Sequence, residues 1–295
     1  MNRDDVRQFS FFAARRLEEE EQVERLAAGD FVLNGGLYFL YRKQGYSSLD
    51  QLSDSTDPFG QGASVGLVRR DASVFTLDAW GQFLWKDLRL EIEAAANFGS
   101  VRNAYTADKR NILQFGVAFE SEYRLLDEKL GLHLYTGYAT GDRNVDGLSI
   151  YDDTITQVTG SDDRLSHLSF HPNYRVDLIL FRNVLGAIGG AWYTRPGISY
   201  DIIRSEFGQL LGLRADAIYS RAAREVQTYG SDPNLGLELN GSVYYRSEDG
   251  PEFWDGFYAQ FQYGILFPLA GLNNVSESFN LDRAQTLRLL MGIQF

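Results

Sequence analysis

The 295-residue sequence has no cysteine, 6 Pro, 2 Met and only 4 Lys. Without cysteine there is no disulfide framework, no thiolate catalysis and no Cys-based zinc site. Long apolar runs are missing too: the most apolar stretch, 184–193, is well short of the ~18 residues a membrane-crossing helix needs, which says nothing against crossing by strands. Residues 1–10 (MNRDDVRQFS) contain no apolar core of a secretory signal. An exported chain needs one, so truncation upstream is the expectation for this N-terminus. A formal net charge of -12 without a Lys/Arg patch excludes nucleic acid as an expected partner. There is no G-x-S-x-G, no phosphate loop and no apparent Ser/His/Asp set, so no enzyme activity is expected.

What is abundant is Arg (24), Gly (29), Phe (20) and Tyr (17). Arg presents a fixed fork of donors and suits paired networks inside a walled space better than Lys does. The apolar residues recur with period two. In 286–295 (TLRLLMGIQF), Leu287, Leu289, Met291, Ile293 and Phe295 share one strand face and Thr286, Arg288, Gly292 and Gln294 the other, with Leu290 breaking the alternation. An alternating strand closed by a C-terminal Phe resembles the signal read by the barrel assembly machinery of bacterial outer membranes. Ten strands are legible, at 31–42, 75–86, 88–98, 113–124, 130–138, 187–200, 207–222, 235–247, 256–268 and 286–295. The connections between them are alternately long and short, as when short turns lie on one side of a membrane and long loops on the other. An even count would place both chain ends on the short-turn side.

The predicted fold is therefore all-β: an antiparallel transmembrane β-barrel of about 10–12 strands over 29–295, whole or a fragment of a larger barrel. Residues 1–28 are expected to form a separate element, a charged helix over 15–28 ending at Gly29, preceded by 8–14 (QFSFFAA) as helix or remnant strand. With the apolar face turned to lipid, the opposite face lines the lumen. It carries Arg42, Lys86, Arg89, Arg124, Arg214, Arg246 and Arg288 beside Asp78, Glu91, Glu93, Glu120, Glu122, Asp216 and Glu238, seven charges against seven. Such a set either lines a polar conduit or fills a narrow barrel with salt bridges. The parity of the loops requires that 174–185 (YRVDLILFRNVL) lie outside the wall. It is expected as a short helix or in-folded constriction, with Val176, Ile179, Leu180 and Val184 on one face and Tyr174, Arg175, Asp177 and Arg182 as its polar groups.

Two metal patterns stand out. Asp142, Asn144, Asp146, Gly147 and Asp153 follow D-x-N-x-D-G-x5-D, the spacing with which alternate oxygens converge on calcium; a solvated acidic outer loop is the alternative. His167 and His171 are four apart, a two-ligand spacing if helical, although Pro172 and an extended look oppose a helix there. Apart from calcium in the 142–153 loop, no cofactor is expected.

The segments 36–44 (GLYFLYRKQ), 78–80 (DAW), 88–99 (LRLEIEAAANFG) and 170–182 (FHPNYRVDLILFR) resemble an uncharacterised outer-membrane β-barrel family of myxobacteria and delta-proteobacterial relatives. More distantly, they resemble alginate-export-type porins. The resemblance covers roughly 30–200, with YRVDLILFR its most specific piece. It implies an outer-membrane barrel with a plug or constriction segment, further strands upstream and a signal sequence. Alginate passage would call for a strongly basic channel, which the balanced charges here do not provide. The functional expectation is a porin-like channel for small polar or charged solutes. The alternative is a non-conducting structural or anchoring barrel whose acidic outer loops bind ions or partners. Either would meet outer-membrane lipid and the assembly machinery, the latter through the C-terminal strand.

Overall fold

Alternation along the chain is realised as one large sheet. The computed structural model describes residues 6–48, 67–102, 109–143, 164–205, 207–248, 255–273 and 281–293. Its strands are β1 Val6–Arg15, β2 Val32–Ser48, β3 Leu67–Trp85, β4 Leu88–Arg102, β5 Lys109–Leu125, β6 Leu130–Ala139, β7 Arg164–Leu165, β8 Ala191–Arg204, β9 Leu210–Ala222, β10 Asn234–Arg246, β11 Phe257–Pro268 and β12 Ala284–Ile293. All except β7 follow one another as hydrogen-bonded neighbours in chain order; two-residue β7 pairs with β5 in parallel. The ladders along this path are antiparallel. Helix α1, Glu19–Ala27, lies between β1 and β2. No helix among the described residues is long and apolar enough to cross a membrane.

The sheet is open, since β1 and β12 each have a single neighbour. Residues 8–14 belong to β1, which pairs with β2 from Val6↔Gln44 to Arg15↔Gly35. The predicted even wall count is thereby corrected: among the described residues, eleven strands in alternating directions leave β1 and β12 running the same way, with Val6 and Ile293 at opposite rims. The connection between the predicted strands 31–42 and 75–86 is shorter too. β2 and β3 remain paired as far as Ser48↔Leu67, beyond a register shift between Gln44 and Tyr46. The expected parity of the connections holds from β2 onward. Segments 86–87, 126–129, 205–209 and 247–256 join strands at one rim; 49–66, 103–108, 140–190, 223–233 and 269–283, each longer than the connections next to it, join them at the other.

The two faces of the sheet differ sharply. Leu287, Leu289, Met291 and Ile293 of β12 lie exposed on the outer face, as do Leu237, Leu239 and Val243 of β10, Leu113 and Phe115 of β5, and Leu37 and Leu77 of β2 and β3. The polar and charged groups that are buried in the strands lie on the opposite face, among them Asn34, His133, Ser199, Asp201, Asp216 and Glu238. Leu290, which broke the alternation, takes the intermediate register between Leu289 and Met291 and shares the inner face with Arg288.

Segment 164–190 returns from the long-loop rim and packs on that inner face. Val176, Leu178, Ile179, Leu180, Phe181, Leu185 and Ile188 form an apolar cluster with Tyr193 of β8, Leu235 of β10 and Leu266 of β11, and Ala284 of β12 packs against it. One segment touching β5, β8, β10, β11 and β12 means that the sheet curls around it. Of the two expected conformations, short helix or in-folded segment, the second is found for 174–185. It holds only a single π-type turn over Leu180–Val184, so Leu178 and Phe181 are buried while Val184 is exposed.

Candidate functional site

The concave inner face carries nearly all of the charges assigned to it, and the structure sorts them into separate groups. Nearest the short-turn rim, Arg89 of β4 reaches Glu91 at 2.5 Å and lies 4.0 and 3.9 Å from Glu120 and Glu122. Glu91 also accepts hydrogen bonds from the Trp80 indole (2.7 Å) and Gln82 (3.1 Å). Arg124 pairs with Glu122 at 2.8 Å and with Asp201 of β8 at 3.2 Å. Asp201, 1% exposed, also receives Arg204 at 3.0 Å and the Tyr244 hydroxyl at 2.5 Å. His133 is buried, with Nε2 2.8 Å from the Ser199 hydroxyl.

One level higher, Asp216 of β9 is clamped between Arg195 (2.9 Å) and Arg214 (2.9 Å). Both guanidiniums lie over the Tyr135 ring, 5.4 and 5.5 Å from its centre. Gly197 makes this geometry possible, since a Cβ there would stand 2.2 Å from the Asp216 carboxylate. These pairs are half-buried and mutually bonded, so they brace the wall more than they present charge to a solute. Tyr244→Phe is accordingly expected to lower stability by about 1.5 kcal/mol, the worth of one hydrogen bond to a charged group. Denaturant titration of the refolded protein measures it.

Glu238 has a different role from the one predicted. It is 1% exposed, and its carboxylate accepts the backbone N–H groups of Leu178 (2.7 Å), Ile179 (3.2 Å) and Leu180 (3.0 Å). It is a clasp for the in-folded segment, not a lining charge. Asp177 repeats the device locally, accepting N–H from Phe181 (2.5 Å) and Arg182 (3.1 Å). Burial first, then the Glu238 carboxylate beside it, raises the Asp177 pKa from the ordinary aspartate value to about 7. The Tyr174 hydroxyl meets Tyr193 (2.7 Å) and Glu120 (3.2 Å), and burial pushes its pKa up. Arg175 donates to the Gly186 carbonyl at 3.1 Å, and the Arg182 Nε to the Asp177 carbonyl at 3.1 Å. Burial, with Arg288 and Arg175 close by, lowers the Arg182 pKa.

The seven-against-seven balance thus conceals a segregation. Of the carboxylates on β3–β5, Glu91 and Glu120 meet Arg89, while Asp78 and Glu93 take part in no ion pair among the described residues; Arg175, Arg182 and Arg288 gather between the in-folded segment and β12. Arg246 stands exposed at the short-turn end of β10. At that same rim a cavity of about 570 Å³ lies between the start of α1 and β3–β4, lined by Arg16, Glu18, Gln22, Gln82 and Arg89.

Of the calcium pattern, Asn144, Asp146 and Asp153 lie outside the described residues. Asp142 is 1% exposed, and its carboxylate accepts the Ser166 N–H at 2.7 Å. His167 and His171 have separate partners: the His167 Nδ1 is 3.0 Å from the Gln227 amide nitrogen, while the His171 Nδ1 accepts the Asn173 N–H at 3.2 Å. Burial lowers the His167 pKa, an effect that Asp142 opposes. Among the described residues no three His, Cys, Asp or Glu side chains converge as a metal site. Arg195, Asp201 and Arg204 were not predicted. Spacing by twos from Tyr193 assigns Arg195 and Asp201 to the inner face, the signal that could have found those two; Arg204 lies beyond the register shift and off that spacing. No protein-family model and no curated protein sequence matches the chain.

Proposed function

We propose that this chain forms the wall of an outer-membrane β-barrel whose charged interior, narrowed by segment 174–185, passes small polar or charged solutes. The observation that carries this reading is the inversion of the two sheet faces: large apolar side chains are exposed on the outside and polar ones are buried within. In water, each such side chain would forgo about 1.5–3 kcal/mol of burial, and a whole face of them has no counterpart on a soluble monomer. Hydrocarbon reverses the sign of that account. The short-turn and long-loop rims, and the C-terminal strand with its alternation, support the same reading.

In lipid the free edges of β1 and β12 must also be covered, since unpaired backbone groups in hydrocarbon cost several kcal/mol each. Because the two edges run the same way, a direct seam between them would be a parallel ladder in a wall otherwise antiparallel along its path. A second reading, a barrel that anchors or binds without conducting, is favoured by one observation: the apolar cluster around Leu180 and Phe181 occupies the β8–β12 side of the interior.

Two experiments bear on these readings. Leu239→Arg, at mid-strand on the outer face of β10, is expected to lower folding stability in vesicles by about 2 kcal/mol. A soluble protein would tolerate an exposed Arg there, and an unchanged or improved yield without detergent would refute the membrane wall. Planar-bilayer recording of the purified protein then separates the two readings. Discrete conductance steps are expected of a channel, and their absence selects the closed barrel.

A further inference from the structure

Resting on the barrel reading, the inference deepens it by naming a solute class. Between the inner face of β4–β5 and the in-folded segment lies a cavity of about 280 Å³. Its floor is made of small side chains, Ala95, Gly116 and Ala118, and its roof is Leu168 and Phe170. Gly116 sets the height of that roof, since a Cβ there would stand 2.4 Å from Leu168 and 2.7 Å from the Phe170 ring. Phe170 is fixed edge-on to Tyr174, with ring centres 5.6 Å apart at 80°. The result is a preformed, largely apolar slot whose one carboxylate is Glu93, with His171 and Tyr174 also in its wall.

The surroundings of Glu93 define what the slot can hold. Its carboxyl interacts directly with that of Asp78, and Glu91 and Glu120 are its next charged neighbours. Among the described residues, neither Asp78 nor Glu93 takes part in an ion pair, and the single Arg89 is shared by Glu91, Glu120 and Glu122. Carboxylates alone make only a solvated acidic surface; here one of them, Glu93, lines a slot with an aromatic roof. An anion is repelled. A sugar would need several free donors and acceptors, yet the Tyr174 hydroxyl is engaged by Tyr193 and Glu120, and the His171 Nδ1 by the Asn173 amide. A bare metal ion finds no convergent set of ligands among the described residues. What remains is a cation attached to an apolar body.

We propose that this slot binds amphiphilic organic cations, with the ammonium group against Glu93 and Asp78 and the apolar part between Ala118 and Phe170. The ammonium supplies the positive charge that the carboxyl pair lacks, and the aromatic face adds cation–π attraction.

The test uses the full chain, folded in detergent micelles, with phenethylammonium, ethylammonium and phenylacetate as probes in calorimetric titrations. Phenethylammonium is expected to bind, ethylammonium more weakly because it leaves the slot empty, and phenylacetate not at all. Glu93→Gln, nearly isosteric and remote from the clasp of the in-folded segment, is expected to weaken phenethylammonium about tenfold. Ala118→Leu, which fills the slot while retaining every charge, is expected to weaken it as well. Equal affinity in the wild type and in Glu93→Gln, or phenylacetate bound as tightly as the amine, overturns the proposal. Because binding is read without current, a protein that binds the amine but conducts nothing removes only the channel reading. One that conducts but ignores the amine removes only this inference.

Discussion

Glu238→Ala releases the in-folded segment and destabilises its seating by about 4 kcal/mol, because it leaves three neighbouring buried amides without an acceptor. The N–H groups of Leu178, Ile179 and Leu180 all point at this one carboxylate, and the segment makes no regular helix or ladder in which they could find another partner. Apolar contact alone cannot hold the segment in place: Leu178 and Leu180 could keep their neighbours only by burying three open donors. Glu238→Gln retains one acceptor oxygen at the same site and is expected to lose about half as much. Amide hydrogen exchange reads the effect directly. Protection of residues 178–185 should collapse in the alanine variant, while β2–β4, which do not contact the clasp, remain protected. Undiminished protection at Leu178–Leu180 in that variant would show that another group, or the apolar cluster, anchors the segment. If the segment also narrows a pore, the same variant should raise single-channel conductance.

The sheet was legible wherever one face is consistently apolar. In β4, Leu90, Ile92, Ala94, Ala96 and Phe98 alternate with Glu91, Glu93 and Asn97, and the register flips cleanly along β3 and β5. Period two is lost in β1, where adjacent Phe11 and Phe12 occupy both faces, and at the far ends of β2 and β3, where polar residues lie on either side of a continuing ladder. Asp201 was hidden by the irregularity that follows it: the register shift between Asp201 and Ile203 places Ile202 and Ile203 in succession and spoils the alternation. Glu238 was assigned to the correct face but the wrong task. Its partners are backbone amides some sixty positions upstream, and backbone groups leave no mark in a sequence. The in-folding of 174–185 followed from loop parity, yet its buried set did not, because an assumed helical period selects Val184 where a π-type turn selects Phe181.

The in-folded segment is expected to be seated most firmly in acid and to loosen as pH rises through about 7. Asp177 is 4% exposed and lies beside Glu238, so a second negative charge there is opposed both by the loss of water and by its neighbour. Arg182 on the same segment offsets part of this, with Arg175 and Arg288 beyond it, but not enough to restore an ordinary aspartate. With the seated pKa above the released one, the seated state holds the extra proton in the interval between them. Stability is therefore complete below the ordinary value of 3.8, falls steadily across the window, and levels off once both states are ionised above about 7. The total swing is at most about 4 kcal/mol, set by the width of that window. Hydrogen exchange of residues 178–185, corrected for the intrinsic pH dependence of amide exchange, should show opening become easier between pH 5 and pH 8, on the order of a hundredfold. Asp177→Asn, which keeps a carbonyl acceptor for the Phe181 amide and cannot ionise, should flatten that dependence. Glu238→Gln removes the neighbouring charge that holds the Asp177 pKa up, so it should move the midpoint to lower pH without abolishing it. A pH profile that Asp177→Asn leaves untouched would transfer the effect to another buried group. His167 is not that group, because burial lowers its pKa and its contribution is lost as pH falls, the opposite sense.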